Sequence, residues 1–389
     1  MSLTEKLYFK DSHIKSFKAA VISCEKKDGG YAVILDKTAF FPEGGGQPAD
    51  TGVIGTVRVH DVQEQNGEIL HFTKQALEPG EYLCAIDWQK RFERMQNHSG
   101  EHIVSGIVHS EFGYDNVGFH MEDGIVAVDF SGELTREQLD FVEEKANEAV
   151  FANLPVTAYF PEPDELAALD YRSKLELTED VRIVKIGDVD TCACCAPHVT
   201  LTGEIGTIKL LDFMRHRGGI RVYMKAGKWA LDDYREKYTN ILEISNLLSA
   251  KQPEAAAAVS KFYGELDSVR KKFFDFKIDV AKNAAENMLN IGENALFVTS
   301  GFDADMLRET VNCAVLQISG IAAAFSGDDE NGYSYICCGK NTDMNAFAKK
   351  MNAALSGRGG GRDGMIQGKV TASKAAITAF FNELTGENA

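Results

Sequence analysis

Residues 98–102 have the sequence His98-Ser99-Gly100-Glu101-His102, and this stretch guides our interpretation of the rest of the chain. Histidines four positions apart lie on one face of a helix, about one turn apart, so both imidazole rings can reach a single metal ion. The pattern continues with Ile103, Val104, Ile107 and Val108. This apolar face predicts a buried helix that holds the two rings in fixed positions.

A second group of metal-binding residue types lies far downstream, in a cysteine cluster that begins at Cys192. Cys194 and His198 are again four positions apart, but Pro197 between them disfavours a helix, so we predict a loop. The two stretches together supply nitrogen and thiolate donors in the number and type that Zn²⁺ prefers. The sequence leaves open whether Cys192 or Cys195 takes the place of Cys194.

Length and composition favour a multidomain cytoplasmic protein. A chain of 389 residues is long enough for two or three domains. It contains no apolar run of about 18 residues and begins without a signal-peptide core, so we expect no membrane segment. Eight cysteines in a reducing compartment are then expected to be free thiols.

The charge distribution limits the ways in which this chain can bind nucleic acid. A formal net charge of -17 argues against a general nucleic-acid coat, because affinity for phosphates comes from cationic side chains. Residues 209–228 and 340–374 are nevertheless rich in lysine and arginine. A basic patch on an acidic body permits a local, oriented contact with a polyanion. Solvated surface charge is the alternative interpretation.

The pattern of apolar runs and turn residues predicts an α+β protein with four segments. Short β-branched runs separated by glycine turns predict a small β-barrel. Two helices joined near Pro253 predict a hairpin, and its heptad seam is satisfied either within the chain or across a homodimer. The C-terminal domain is the alternative site of contact in a homodimer. The segments are a β-barrel (1–88), a zinc-containing α/β domain (89–228), a helical hairpin (229–290) and a small C-terminal α/β domain (291–389).

Two glycine-rich stretches are candidates for ligand contact. The first contains Gly44, Gly45 and Gly46, where the backbone can approach a ligand closely or adopt positive φ. The second, residues 356–368, places arginines among glycines, a composition that suits phosphate or ribose contact. A plain flexible loop and a structural turn are the respective alternatives.

These motifs, in this order, resemble the editing domain of alanyl-tRNA synthetase. The resemblance covers residues 5–230 and includes the Phe40 to Gly52 stretch, the two histidine-containing motifs, Thr202 to Gly206, and Arg217 to Val222. The later helices and the 357–368 stretch resemble the synthetase's C-terminal, DHH-associated domain. With only a short segment ahead of the β-rich part, no aminoacylation domain is expected. The chain therefore resembles the free-standing, long form of the AlaX family of alanyl-tRNA editing proteins.

The resemblance implies a hydrolase that removes serine, or glycine, from mischarged tRNA(Ala). It implies one Zn²⁺ per chain held by His98, His102, Cys194 and His198. Two departures from the family pattern stand out: Ser99-Gly100-Glu101 replaces Thr-Ala-Thr, and Cys195-Ala196-Pro197 replaces Gly-Gly-Thr. Neither departure changes a matched ligand.

Further roles follow from this expected chemistry. Thr38 and Gln47 are candidates for reading the serine hydroxyl, since a hydrogen-bonding site separates serine from alanine better than shape does. Glu101 is a candidate base, and its position equally suits the orientation of a ligand or exposure to solvent. Glu101, Gln47 and Thr38 are together the candidate catalytic residues. We expect the Gly44 to Gly46 loop to border the amino-acid pocket. The expected substrate-binding residues are completed by Arg215, Arg217 and Arg221.

Two other functions fit part of the sequence. Residues 98–102 also match H-x-x-E-H, a metallopeptidase pattern in which Glu101 would be the general base. That interpretation expects a carboxylate as third ligand and leaves Cys194 and His198 unexplained. A non-catalytic tRNA-binding protein with structural zinc fits the closed set of four ligands.

Overall fold

The computed structural model describes residues 4–122, 124–173, 181–362 and 364–384. The chain divides into two compact units, Met1–Glu243 and Ile244–Ala389. The predicted mixture of helices and sheets is confirmed. The boundary between the units falls inside the predicted 229–290 segment, and the finer division into four segments stays a prediction. Within the described residues, no helix has both the length and the apolar composition that crossing a membrane requires.

The N-terminal unit begins with strands that form a closed ring. The ring follows the hydrogen-bonded order β2-β3-β7-β6-β5-β8, and β8 pairs back onto β2. Along β6, Val57 and Val59 are buried while Arg58 and His60 are exposed, the alternation expected of a strand with one face inward. The elements are β1 (Glu5–Lys6), α1 (Leu7–Lys10), β2 (Ser16–Lys27), β3 (Gly30–Leu35), β4 (Lys37–Thr38), β5 (Gly52–Ile54), β6 (Val57–Gln65), β7 (Glu68–Thr73) and β8 (Gly80–Ile86).

The rest of this unit consists of two antiparallel sheets and their helices. One sheet has the order β14-β15-β10-β9 and the other β11-β12-β13. Thr135 and Gln138, three positions apart, predict a capping box from the sequence, and this capping box is confirmed at the start of α3. The elements are α2 (Trp88–Phe112), β9 (Asn116–Glu122), β10 (Ile125–Phe130), α3 (Arg136–Phe151), β11 (Val156–Tyr159), α4 (Pro163–Ala168), β12 (Ile183–Ile186), β13 (Asp190–Ala193), β14 (Ile208–His216), β15 (Gly219–Ala226) and α5 (Gly227–Leu247).

The second unit contains one six-stranded sheet with the order β16-β17-β18-β19-β21-β20. The apolar seam that the sequence predicts on α6 consists of Val259, Phe262, Leu266, Val269, Phe273, Phe276 and Val280. Five of these positions, Val259, Phe262, Val269, Phe273 and Phe276, are exposed. The elements are α6 (Ala255–Glu286), β16 (Leu289–Ile291), β17 (Asn294–Thr299), α7 (Ala304–Ala314), β18 (Ile321–Asp328), β19 (Gly332–Gly339), α8 (Met344–Ala354), β20 (Gly357–Arg362), β21 (Met365–Val370) and α9 (Lys374–Glu383).

The second glycine-rich stretch is a β-hairpin, β20 and β21, where we expected a loop. Its glycines are required by close backbone pairing: a Cβ on Gly361 would lie 1.9 Å from the carbonyl oxygen of Met365, and one on Gly359 would lie 2.3 Å from that of Gln367. β20 is the edge strand of the sheet. The glycines therefore have a structural explanation, and a role in tRNA contact stays a prediction.

Candidate metal centre

The first half of the site lies on α2. His98 and His102 are buried, and their ring centroids are 5.3 Å apart. Gly100, between them, lies so close to the sheet that an added Cβ would be 3.1 Å from Cβ of Ala226. The small residue therefore lets the helix pack tightly, and the helical spacing places both rings on one side.

The second half of the site lies in the loop after β13, as predicted. Arg182, itself buried, donates from Nη1 to the carbonyl oxygens of Cys194 and Ala196, both at 2.9 Å. The backbone N–H of Cys194 donates to the carbonyl oxygen of Arg182 at 3.0 Å. The buried guanidinium of Arg182 thus holds the second half of the site in place, whereas helix α2 holds the first half.

The four donor atoms of His98, His102, Cys194 and His198 lie within 4.8 Å of one another. Cys194 Sγ is 3.3 Å from His198 Nε2 and 3.6 Å from His98 Nε2. Two donors bonded to one tetrahedral zinc ion lie about 3.5 Å apart, from the usual Zn–S and Zn–N lengths. The residues present therefore fit a metal ion, and the three-histidine, one-cysteine donor set suits Zn²⁺.

Each of the three imidazoles has its other nitrogen occupied by a hydrogen-bond partner. The Nδ1 atoms of His98 and His102 donate to Gln47 Oε1 (2.8 Å) and Asp190 Oδ2 (2.9 Å). Nδ1 of His198 lies 3.0 Å from Ser99 Oγ. These partners favour the tautomer with a lone pair on Nε2, which is how metal-binding histidines are oriented. All three Nε2 atoms then face the sulfur of Cys194.

The protonation states of two donors suit metal binding. Burial alone would raise the pKa of Cys194, but the neighbouring His98 and His198 lower it well below its ordinary value. Burial lowers the pKa of His198 to about 3. A thiolate and a neutral imidazole are the forms that bind metals.

The other two cysteines of the cluster occupy different positions. Cys192 forms a second group with His102 and Asp190. Cys195 is exposed and lies beside the glycine loop, where a Cβ on Gly45 would be 3.7 Å from its sulfur. The structure therefore brings Cys194, of the three candidates, into the four-donor group.

A cavity of about 950 Å³ opens over the donor cluster. Apolar rings, the glycine loop and polar groups line it, among them Phe9, Gly45, Gly46, His98, Glu101, His102, Asn116, Phe119, Phe160, Arg172, Arg182 and Cys194. Its volume suits a group the size of an aminoacyl nucleoside. The donor cluster is thus accessible to a ligand.

Glu101 and Gln47, two of the predicted catalytic residues, lie next to the donor cluster. Glu101 is buried on the cavity wall, and its Oε1 accepts from Ser105 Oγ at 2.5 Å and from Asn116 Nδ2. Gln47 is fully buried and orients His98, while its Nε2 has no hydrogen-bond partner among the described residues. Both side chains are therefore held in place beside the site.

Thr38, the third predicted catalytic residue, lies elsewhere. It is fully buried, its Oγ1 is 2.8 Å from His71 Nε2, and it accepts from the backbone N–H of Phe40 at 3.1 Å. It is outside the described lining of the cavity. The structure thus places Thr38 in the interior of the strand ring.

The glycine loop borders the cavity through Gly45 and Gly46. Gly46 has a φ of +80°, and a Cβ on it would lie 2.6 Å from Phe119. Phe119 in turn stacks on His98, with ring centroids 4.7 Å apart. Glycine at this position therefore allows the loop to approach the ring that supports a candidate ligand. Gly44 lies beside these two but is outside the described cavity lining.

The three predicted substrate-binding arginines lie on the β14–β15 hairpin and do not line the cavity. Arg217 forms the hairpin turn with a φ of +48°. Arg215 is exposed and contacts Glu133 at 3.2 Å. Arg221 donates to both carboxylate oxygens of Asp129, at 2.6 and 2.7 Å, which is a structural ion pair.

Sequence reasoning missed the residues that orient the ligands from behind. Asp190 bridges His102 and Arg172, whose Nε donates to Asp190 Oδ1 at 2.7 Å. Ser99 lies on α2, and its Oγ contacts Nδ1 of His198 in the loop after β13. The one sequence feature that pointed to Asp190 was its position just ahead of the cysteine cluster. Its contact with His102 joins β13 to α2 and therefore depends on the tertiary fold.

Comparison with known families gives two matches, one in each part of the N-terminal unit. A family described as "Threonyl and Alanyl tRNA synthetase second additional domain" matches residues 181–223, which include Cys194 and His198. A family described as "tRNA synthetases class II (A)" matches residues 6–89, which include the strand ring.

Similar proteins cover almost the whole chain. The alanyl-tRNA editing protein AlaX-L of Pyrococcus horikoshii is 27% identical over 402 residues, covering 96% of both chains. The alanyl-tRNA editing protein Aarsd1 of Danio rerio is also 27% identical, again with 96% of both chains covered. The alanine–tRNA ligase of Natronomonas pharaonis is 32% identical over 89% of this chain and 39% of the ligase.

Proposed function

Because the chain belongs to the AlaX family of alanyl-tRNA editing proteins, we propose that it is a cytoplasmic hydrolase that deacylates mischarged Ser-tRNA(Ala), with Gly-tRNA(Ala) as the second candidate substrate. The observation that carries the proposal is the group of four donor atoms, three of whose residues, His98, His102 and Cys194, line a cavity of about 950 Å³. No disulfide joins any of the eight cysteines, all of which lie in the described part of the chain, and this suits a reducing compartment.

His98, His102, Cys194 and His198 would hold one Zn²⁺ ion, and the cavity wall would hold the aminoacyl end of the tRNA. When bound, zinc would polarise the ester carbonyl and help to orient it. Four protein ligands are typical of a closed site, so we assign the positioning of substrate and water chiefly to the surrounding side chains. Glu101, which faces this cavity, remains a proposed catalytic residue.

Gln47 is the proposed reader of the serine hydroxyl. Its Nε2 is a buried donor without an acceptor among the residues that the structure describes, and an unpaired buried donor is unfavourable by about 1–3 kcal/mol. A substrate hydroxyl would satisfy it, while alanine would leave it unpaired. We keep Thr38 in this role as a proposal, tested by deacylation of Ser-tRNA(Ala) with a Thr38→Val variant.

The glycine loop and the hairpin arginines complete the proposed substrate contacts. Gly44, Gly45 and Gly46 would border the amino-acid pocket. Arg215 and Arg217, which are exposed, would contact tRNA phosphates, while Arg221 would hold the hairpin through its ion pair with Asp129. The apolar, exposed positions of α6 keep a homodimer as a proposal.

The peptidase alternative fits the geometry less well. It needs a carboxylate among the metal ligands, whereas the four-donor group contains three histidines and a cysteine. The carboxylate of Glu101 is directed to Ser105 and Asn116. The other alternative is a non-catalytic tRNA-binding protein with structural zinc. It predicts tRNA binding without hydrolysis, so a deacylation assay distinguishes it from the proposed enzyme.

The test compares deacylation of Ser-tRNA(Ala) and Ala-tRNA(Ala) by the wild type and by His102→Ala, with bound zinc measured in each sample. The control is His109→Ala, which removes an exposed histidine from the same helix. We expect serine-selective hydrolysis by the wild type and the control, and loss of both zinc and hydrolysis in His102→Ala. A zinc-loaded wild type that hydrolyses neither ester would refute the proposal.

A further inference from the structure

Three cationic side chains line the cavity beside the donor cluster: Lys6, Arg172 and Arg182. Two of them are paired with carboxylates, since Lys6 Nζ lies 2.7 Å from Glu64 Oε1 and Arg172 Nε lies 2.7 Å from Asp190 Oδ1. Arg182 has no carboxylate within ion-pair distance among the residues that the structure describes. The described part of the wall thus leaves the charge of Arg182 without a carboxylate partner.

Arg182 uses only part of its guanidinium within the protein. The residue is 6% exposed, and its Nη1 donates to the carbonyl oxygens of Cys194 and Ala196. The guanidinium has further N–H donors on Nε and Nη2. Neither atom bonds to an acceptor among the described residues, and neither is enclosed by protein as the unpartnered Nε2 of Gln47 is. These donors are therefore open to a ligand.

The groups whose charge acts on Arg182 are two thiols and a phenol, those of Cys194, Cys195 and Tyr8. Thiols and phenols are ordinarily neutral at neutral pH. Cys194 belongs to the four-donor group, and a metal ion bound there would take up the charge of its thiolate. A buried cation is unfavourable unless it is paired, so an anion in the cavity would stabilise Arg182.

Two aromatic rings extend the wall beyond Arg182. The guanidinium carbon of Arg182 is 5.2 Å from the ring centroid of Phe9, and the rings of Phe9 and Phe160 meet edge to face with centroids 5.4 Å apart. Both phenylalanines line the cavity, and Phe160 is 50% exposed. Nucleobases stack on exposed aromatic rings, and a guanidinium matches the geometry of a phosphate. This patch of the wall therefore presents the two side-chain types that bind a nucleotide.

We propose that the patch is a subsite for a nucleoside 5′-phosphate, in which Arg182 binds the phosphate and Phe160 stacks on the base. The inference rests on the proposed function, because the terminal adenosine of tRNA would bind here with its ester directed to the donor cluster. It specifies the substrate class as aminoacyl esters of a 5′-phosphorylated nucleoside. If Arg182 only held the loop carbonyls, a phosphate on the ligand would not change the affinity.

The experiment measures the affinity of the zinc-loaded protein for 3′-serylamido adenosine, a non-hydrolysable analogue, with and without a 5′-phosphate. Calorimetric titration gives both dissociation constants. We expect the phosphate to lower the Kd of the wild type by about 10- to 100-fold, the effect of hydrogen bonds between charged groups. This comparison changes the ligand alone, so it requires no variant to fold.

Two variants then locate the contacts. We expect Arg182→Gln to bind both forms of the analogue equally, because it lacks the cation. We expect Phe160→Ala to bind both forms about 10-fold more weakly, because the base loses its stacking partner, and to keep the preference for the phosphate. The matched controls are Arg235→Gln and Phe151→Ala, exposed residues outside the described lining of the cavity, and both should behave as the wild type.

Equal affinity of the wild type for the two forms would overturn the inference. An unchanged phosphate preference in zinc-loaded Arg182→Gln would also overturn it, as would equal affinities of Phe160→Ala and Phe151→Ala. The titration does not depend on hydrolysis, so the two proposals fail separately. A wild type that hydrolyses Ser-tRNA(Ala) without preferring the phosphorylated analogue would refute only the subsite. One that prefers this analogue but hydrolyses neither ester would support the subsite and refute the proposed function.

Discussion

The molecule buries histidines in two regions and uses them differently. Inside the strand ring, both nitrogens of His71 are used by the protein: Nδ1 donates to the carbonyl oxygen of Val33 at 3.0 Å, and Nε2 lies 2.8 Å from Thr38 Oγ1. In the donor cluster, the Nδ1 atoms of His98, His102 and His198 are likewise occupied. Their Nε2 atoms instead converge on the sulfur of Cys194.

The difference shows what separates a core histidine from a candidate ligand. Burial is the same in both regions, since all four histidines are almost fully buried. Only the partner of the imidazole Nε2 atom differs. In the strand ring this partner is the hydroxyl of Thr38, whereas in the donor cluster it is another metal-binding donor atom. A metal ion satisfies several such nitrogens and a thiolate at once, so the comparison predicts zinc dependence for one region and none for the other.

The largest expected effect is the loss of the sulfur donor. We expect Cys194→Ser to weaken zinc binding by more than about 100-fold, because even the loss of a residue behind a ligand typically weakens binding 10- to 100-fold. Competition with a chromogenic chelator measures the affinity. Cys192→Ser and Cys195→Ser are the matched controls, since neither sulfur belongs to the four-donor group.

A zinc affinity unchanged in Cys194→Ser and lost in Cys192→Ser would move the centre to the second group, His102, Asp190 and Cys192. The assignment of His98 and His198 as ligands would then be wrong as well. The three cysteine variants thus separate the two donor groups within one experiment.

The second prediction concerns the partner behind His102. We expect Asp190→Asn to weaken zinc binding by about 10- to 100-fold, because the amide no longer fixes the ring by its charge and Arg172 loses a buried ion-pair partner. Asp188→Asn, two residues away at an exposed position, is the control. Equal affinities of these two variants would show that orientation of His102 contributes nothing.

The two pairs of candidate donors and much of the secondary structure were predictable from the sequence, because these depend on local spacing. The i, i+4 histidines, the Pro197-containing loop and the Thr135 capping box are examples. The choice of Cys194 over Cys192 and Cys195 rested on the family resemblance instead. The sequence did not reveal Asp190, or the role of Ser99 behind His198, because these contacts join segments about 90 to 100 residues apart. Glycines 359 and 361 were also ambiguous, since a loop and a closely paired strand both favour glycine.

Substitution of His71 is expected to change zinc binding least. It tests the histidine inside the strand ring, which we compare with those of the donor cluster. We expect His71→Gln to retain the zinc affinity of the wild type. The substitution is expected to change the pH dependence of the free energy of unfolding, because burial lowers the pKa of His71 to about 4 from an ordinary value of 6.5. Between these values the unfolded chain binds a proton that the folded chain does not, so stability falls as the pH falls.

Lowering the pH from about 8 to about 5 should therefore reduce the free energy of unfolding of the wild type by about 2 kcal/mol more than that of His71→Gln. Urea unfolding at each pH measures this difference, and zinc release is common to both proteins and cancels. A protonated His71 could not accept from Thr38, so the same titration also reports on that hydrogen bond. If His71→Gln instead lost zinc while keeping the pH dependence of the wild type, occupancy of both ring nitrogens would no longer distinguish a core histidine from a ligand.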